Sequence, residues 1–219
     1  MNDSTLTTYY SHSDQDLTIC PYNGVAYQHT LDDLVEYGDD YFARYEEYEG
    51  SEIADRLNAF RRWFSGSLGP GKAVLDVGVG SLEFLRSIEW RKRYGADVNP
   101  KALQTLQELG WLVDLDNEPI PVDVGCATLW DVFEHLPEPS AFLAKIPSGV
   151  VVCVSLPIFD DLSRIRESKH YKPGEHLTYW TSQGIRSFFA RHGFVEEATS
   201  WEETKCGRES IGSFRWRKP

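Results

Sequence analysis

Residues 73–80 read Ala73-Val74-Leu75-Asp76-Val77-Gly78-Val79-Gly80. A short apolar run closes on an acid, and two glycines then alternate. Such a run, without polar alternation, is the mark of a strand covered on both faces, as in a parallel sheet. Glycine after the strand permits backbone angles that other residues avoid, or lets a ligand lie against the main chain. A short helix is expected over 82–88, with its first amides pointing back at the turn.

Outward from this stretch, strand and helix signals alternate. A strand over Arg93–Ala96 ends at Asp97. Pro100 suits a first helical position, Ala102, Leu103, Leu106 and Leu109 give the helix an apolar side, and Gly110 ends it. Brief strand character at 111–113 follows, then strands over Val124–Trp130 and Val150–Leu156 with a helix over Ser140–Ile146 between them. Residues 160–175 form a long polar loop of the kind that often serves as a lid. Thr181 is placed to cap a helix carrying Ile185, Phe188 and Phe189 and stopped by Gly193. Phe194–Trp201 and Ile211–Trp216 read as an antiparallel pair at the sheet edge. Upstream, Ile53, Leu57, Phe60 and Phe64 mark a helix lying on the sheet. The expected fold is α/β: a Rossmann-like parallel sheet with helices on both faces and a C-terminal antiparallel strand pair. Residues 1–65 are expected to be an N-terminal extension with lid-like helices, and 66–219 the ligand-binding domain. Residues 1–30 carry no clear period, apart from a turn at 20–24.

The formal net charge of −12 argues against a broad nucleic-acid footprint, which needs clustered lysine and arginine. A local basic cluster at Arg86, Arg91, Lys92 and Arg93 is the exception. No window is long and apolar enough to cross a membrane, and the polar, acidic first residues do not read as a signal peptide. A cytoplasmic location and a monomer or homodimer are expected. Cys20, Cys126, Cys153 and Cys206 lack the close spacing of a zinc knuckle, so reduced thiols and no structural metal are expected.

Open α/β folds bind ligands where strands end. Asp76, Gly78 and Gly80 form one wall of that crevice, and Asp97, about twenty residues on, can accept hydrogen bonds from both hydroxyls of a ribose. The chain lacks the Gly-Lys-Ser/Thr of a phosphate loop. Glu83 stands where a pyrophosphate-binding fingerprint has room for phosphate, and it would repel one. A cationic or zwitterionic nucleoside without phosphate suits these residues better.

Val74–Gly80 resembles motif I of the class I S-adenosylmethionine-dependent methyltransferases. Tyr94–Pro100 resembles the segment bearing their ribose-binding acid, and Asp114-Leu115-Asp116 their adenine-flanking loop. Leu129–Pro139, with Asp131, Glu134 and His135, is similar to the D-x-x-E-H-x-x-x-P stretch common in the ubiquinone-biosynthesis O-methyltransferase and small-molecule branch. Residues 176–181 and 193–194 resemble that branch's late helix and glycine–phenylalanine ending. The resemblance implies S-adenosyl-L-methionine as cofactor, held by Asp76, Gly78, Gly80, Asp97, Asp114, Asp116 and Asp131. It implies a catalytic group of Asp131, Glu134 and His135, an imidazole being suited to taking a proton near neutral pH. Tyr41 and Tyr45 on the N-terminal side, and His170 and His176 in the long loop, are candidate substrate contacts. Leu82 replaces a third glycine of motif I and is expected to narrow the approach to the methionine part of the cofactor.

The expected function is methyl transfer to an oxygen or nitrogen of a small molecule. The alternatives are a nucleotide- or nucleic-acid-modifying methyltransferase that uses the basic cluster, and a cofactor-binding or interaction protein without transfer activity. A nicotinamide dehydrogenase is disfavoured by Glu83.

Overall fold

The computed structural model describes residues 12–14, 17–20, 23–28, 50–66, 68–88 and 91–219. In chain order it contains β1 (His12–Asp14), β2 (Leu17–Cys20), β3 (Val25–Gln28), α1 (Glu52–Phe64), β4 (Ala73–Val77), α2 (Glu83–Ser87), β5 (Arg93–Ala96) and α3 (Pro100–Leu109). There follow β6 (Val124–Trp130), α4 (Pro139–Lys145), β7 (Val151–Pro157), β8 (Thr178–Trp180), α5 (Ser182–Arg191), β9 (Val195–Ser200), α6 (Glu202–Lys205) and β10 (Ile211–Arg217).

The main sheet has six strands in the order β5-β4-β6-β7-β10-β9. β5, β4, β6 and β7 run parallel; β10 runs antiparallel to both β7 and β9. The expected Rossmann-like sheet and its antiparallel edge pair are therefore present. Every residue of β4, β6 and β7 is buried. Their side chains alternate between two cores. Ala73, Leu75, Val77, Val152, Val154 and Leu156 pack with Leu143 of α4 and Phe188 and Phe189 of α5. Val74, Val151, Cys126 and Cys153 pack on the opposite face with Phe60 and Phe64 of α1, Leu85 of α2 and Leu106 of α3.

Local chemistry sets the helix ends. The Asn99 carboxamide oxygen accepts from the amides of Lys101 and Ala102, Pro100 opens α3, and Gly110 ends it at φ +69°. Ser51 caps α1, with acids in its first turn and Arg61 and Arg62 in its last, matching the helix dipole. The apolar face of α1 is rotated from the expected one: Ala54, Phe60 and Phe64 are buried, whereas Ile53 is exposed. The expected strand at 111–113 reduces to one parallel bridge between Gly95 and Leu112.

Residues 12–28, which carry no clear period, supply three strands of a second, antiparallel sheet, ordered β1-β2-β3-β8. Leu17, Ala26 and Tyr179 pack there on Phe159 and on Leu162 and Ile165 of the long loop. This sheet meets α5 through a close backbone approach: a Cβ added to Gly184 would lie 1.9 Å from the Gly24 carbonyl oxygen. Replacing Gly184 by alanine is expected to gain under about 1 kcal/mol in helix propensity. The backbone displacement it forces costs roughly 1–3 kcal/mol or more, as overpacked sites do. A net loss of about 2 kcal/mol in urea unfolding is the expected result; an unchanged midpoint would show that the contact gives way freely. Among the described residues, no helix is long and apolar enough to cross a membrane.

Candidate active site

The crevice forms where β4, β5 and β6 end. Gly78 follows β4 at φ +72°, and its amide donates to the Ala96 carbonyl at 2.7 Å. A Cβ there would lie 2.3 Å from Cγ2 of Val132, so glycine lets the loop after β6 close on the loop after β4. Gly80, at φ +51°, donates its amide to Asp97 Oδ2 at 3.1 Å. Asp97 Oδ1 accepts from the amides of Val98 and Asn99, both at 2.8 Å. Burial raises the Asp97 pKa, against the pull of these amides. One carboxylate thus ties the glycine turn to the end of the neighbouring strand. A carboxylate has about four lone-pair sites, and the three amides leave about one of them for a ligand's hydroxyl.

Asp76 is buried under this turn, and Thr128 donates to its Oδ1 at 2.6 Å. Burial pushes its pKa up to about 7, opposed by the Thr128 hydrogen bond and the charge of Arg61 and reinforced by Asp97. The sign of the linkage follows. Between the unfolded pKa of 3.8 and the folded value of about 7, the folded chain holds the proton more tightly. Asp76's contribution to stability is fully present below the lower value and falls as pH rises through the upper one, by on the order of 4 kcal/mol. Urea unfolding at pH 5 and pH 8 is expected to show the wild type losing stability relative to Asp76→Asn as pH rises. Parallel profiles would refute it.

Leu82 sits at φ +64°, the left-handed conformation that suits a glycine. Its side chain is only 1% exposed and packs in the core with Phe60, Phe84 and Leu85. The expected narrowing of the cofactor approach is corrected accordingly: the side chain turns into the α1–α2 core. Glu83 accepts from the Gly50 amide at 2.9 Å.

Asp131, at φ +60°, ends β6. Both its oxygens are ion-paired, Oδ1 with Arg208 at 2.7 Å and Oδ2 with Arg61 at 3.4 Å. Burial would raise its pKa, but Arg208, Arg61 and His135 hold it down at about 2. Both arginines also bind the fully buried Glu203 of α6, Arg61 through Nε at 3.0 Å and Arg208 through a short Nη1 contact. Arg61 further lies over the Trp130 ring, 5.1 Å from its centroid. Sequence reasoning missed Arg61, Glu203 and Arg208. The arginine interrupts an otherwise apolar helix face, and that interruption was the available signal; residues 203 and 208 carry none.

Glu134 and His135 lie in a 3-10 turn after β6. The Glu134 backbone oxygen accepts from the Leu177 amide at 2.8 Å, which brings His176 beside His135, ring centroids 4.7 Å apart and nearly perpendicular. Burial, and then Asp131, push the Glu134 pKa well above the usual carboxylate range. Burial lowers His135, opposed by Glu175; His176 is brought down to about 3 by burial, His135 and Lys172. His135 Nδ1 lies 2.8 Å from the Glu175 carbonyl oxygen; a carbonyl only accepts, so Nδ1 carries the hydrogen and Nε2 the lone pair.

The remaining candidates are dispersed. The His170 ring bonds through Nε2 to the Glu209 carbonyl at 2.8 Å, while its backbone meets the His176 ring. Asp114 caps its own turn, accepting from the amides of Asp116 and Asn117 and from the Asn117 side chain; Asp116 is exposed beside it. Tyr41 and Tyr45 lie outside the described residues. Of the basic cluster, Arg91 donates to the Gly66 carbonyl, Lys92 pairs with Asp123 and Arg93 donates to the Leu85 carbonyl, so three of its four members serve the fold.

The fold is shared with solved class I S-adenosylmethionine-dependent methyltransferases. No protein-family model matches the chain, and no curated protein matches it. Among solved structures, an S-adenosylmethionine-dependent methyltransferase from Archaeoglobus fulgidus is 18% identical, with TM-score 0.59 over 82% of this chain and 100% of that one. Magnesium protoporphyrin IX methyltransferase (ChlM) from Synechocystis, with bound S-adenosylhomocysteine, is 16% identical, with TM-score 0.55 over 84% and 96%. The [4+2]-cyclase SpnF is 15% identical, with TM-score 0.54 over 75% and 80%. These identities establish a shared fold, and that fold carries more than one chemistry.

Proposed function

We propose that this protein transfers a methyl group from S-adenosyl-L-methionine to an oxygen or nitrogen of a small molecule. The observation that carries the reading is the Asp97 carboxylate tied to the Gly78–Gly80 turn at adjoining strand ends. The donor set fits the cofactor: Asp97 offers an acceptor to a ribose hydroxyl, the two glycines let the turn's backbone lie against the ligand, and Asp76, buried beneath the turn, orients it. Asp114 and Asp116 border the adenine side. Bound S-adenosylmethionine supplies a methyl group on a sulfonium, a carbon already activated toward attack.

This chain's residues then have the tasks of orientation and proton removal. Asp131, fixed by its two arginines, is a rigid charged wall at the mouth and not a proton acceptor. His135, oriented by Glu175, presents Nε2 toward the acceptor side, with Glu134 beside it. Tyr41, Tyr45, His170 and His176 are assigned to the substrate side, as lid and loop contacts. The acidic surface favours a metabolite over a polyanion. Calorimetry with S-adenosylmethionine, S-adenosylhomocysteine and nicotinamide cofactors tests the pocket, and transfer of labelled methyl to a panel of phenols and amines tests the reaction. Binding of the first two ligands alone, with methylated product, is the expected result. Cofactor binding with no product across the panel would instead favour a fold member with another chemistry, as SpnF is.

A further inference from the structure

Glu134, His135 and His176 each direct one potential ligand atom into a common space, these atoms lying within 4.8 Å of one another. Two of the groups are almost wholly buried, Glu134 at 2% exposure and His176 at 3%. Both carry an atom without a hydrogen-bond partner: Glu134 Oε2 and His176 Nδ1. Buried polar atoms are rarely left unsatisfied, because each costs about 1–3 kcal/mol. An orphaned carboxylate oxygen and an orphaned imidazole nitrogen in one cluster are what a site built for a cation leaves behind when the cation is taken away. Water would satisfy them too, and the experiment below tells the two apart.

The third group is oriented as metal ligands are. The Glu175 carbonyl fixes the hydrogen of His135 on Nδ1 and its lone pair on Nε2, the arrangement in which a backbone carbonyl sets the tautomer of a ligating histidine. The nearly perpendicular His135 and His176 rings let two lone pairs converge without stacking. Asp131 is excluded from the set, since both its oxygens are taken by arginine.

We infer that Glu134, His135 and His176 form a binding site for a divalent first-row transition-metal ion. Two imidazoles and one carboxylate suit zinc, iron(II) or cobalt(II); magnesium and calcium prefer an all-oxygen shell. Zinc arms of about 2.0–2.1 Å put tetrahedral ligands roughly 3.4 Å apart, so small side-chain rotations close the cluster on an ion. Three protein ligands leave a fourth position open, as in catalytic sites. His135, 12% exposed at its side chain, marks the solvent side by which an ion enters. With an ion bound, His135 Nε2 is a ligand, and proton loss from an acceptor hydroxyl is promoted at the open position instead. This step alone rests on the proposed methyl transfer; ion binding is read without cofactor or substrate, so the two can fail separately.

The test uses the full chain, stripped with chelator and titrated with zinc chloride and with cobalt chloride. Expected are one equivalent of zinc by calorimetry and elemental analysis, and cobalt(II) visible bands of four- or five-coordinate intensity. Glu134→Gln and His176→Gln should each weaken zinc binding by about 100-fold or more, since losing an outer-shell partner alone costs about 10–100-fold. Circular dichroism melts confirm that each variant is folded, and the milder His135→Gln serves if either is not. No stoichiometric zinc binding by the wild type, six-coordinate cobalt spectra, or unchanged affinity in folded variants would overturn the inference.

Discussion

Arg208→Ala is expected to lower stability by about 3–5 kcal/mol. Arg208 binds Asp131 with one nitrogen and Glu203 with another, and it lies between α6 and the end of β6. Glu203 is fully buried. Without Arg208 it keeps only the bonds from Arg61, at 3.0 and 3.1 Å. Asp131 keeps a single longer contact, 3.4 Å, to the same side chain. One guanidinium would then face two carboxylates, leaving a buried negative charge uncompensated. The cost comes from that orphaned charge rather than from the worth of the intact pair. Glu203→Gln should therefore restore part of the stability lost in Arg208→Ala, although Glu203→Gln alone is destabilising. Urea unfolding of the two single variants and the double variant forms the cycle. An Arg208→Ala protein within 1 kcal/mol of wild type, or strictly additive losses, would show that the network is solvated and weak.

This network also marks the boundary of what the sequence discloses. The parallel strands were legible because burial on both faces forces unbroken apolar runs, and β4, β6 and β7 have them. α3 was legible because Asn99, Pro100 and Gly110 each do a local job at a helix end. The Asp76–Gly80 and Asp97 wall was legible for the same reason: a turn and a strand end constrain residue type over a few positions. Contacts between distant segments leave no such trace. β1, β2, β3 and β8 have three or four residues each, too few for alternation to register, and β3 is joined to β8 only across a distant part of the chain. Arg61, Asp131, Glu203 and Arg208 meet only after the fold has formed. The direction of the Leu82 side chain depends on a left-handed backbone angle that permits it to turn inward. Neither its side-chain type nor its position in the glycine pattern reveals that angle.

Asp97→Ala is expected to raise the dissociation constant for S-adenosylmethionine by about 10- to 100-fold. The carboxylate has two kinds of partner in the proposed site. Inward, it accepts from Gly80, Val98 and Asn99, and these bonds hold the glycine turn against the end of β5. Outward, its remaining lone pair would receive one ribose hydroxyl. A hydrogen bond to a charged group contributes about 1.5–3 kcal/mol, which is roughly a 10- to 100-fold change in affinity. Alanine also releases the three amides, and a loosened turn would weaken binding for a merely structural reason. Asp97→Asn keeps part of the turn. Its single carbonyl oxygen can still accept from the Val98 and Asn99 amides, while its amino group can accept neither from the Gly80 amide nor from a hydroxyl. If the acid binds ribose, the asparagine protein should melt near the wild-type temperature yet bind cofactor at least 10-fold more weakly. Methionine itself, which has no ribose hydroxyls, reads the loosened turn alone, so unchanged methionine binding in a folded variant that loses S-adenosylmethionine assigns the loss to ribose. Equal cofactor affinity in wild type and Asp97→Asn would remove Asp97 from the cofactor site and, with it, the principal support for methyl transfer.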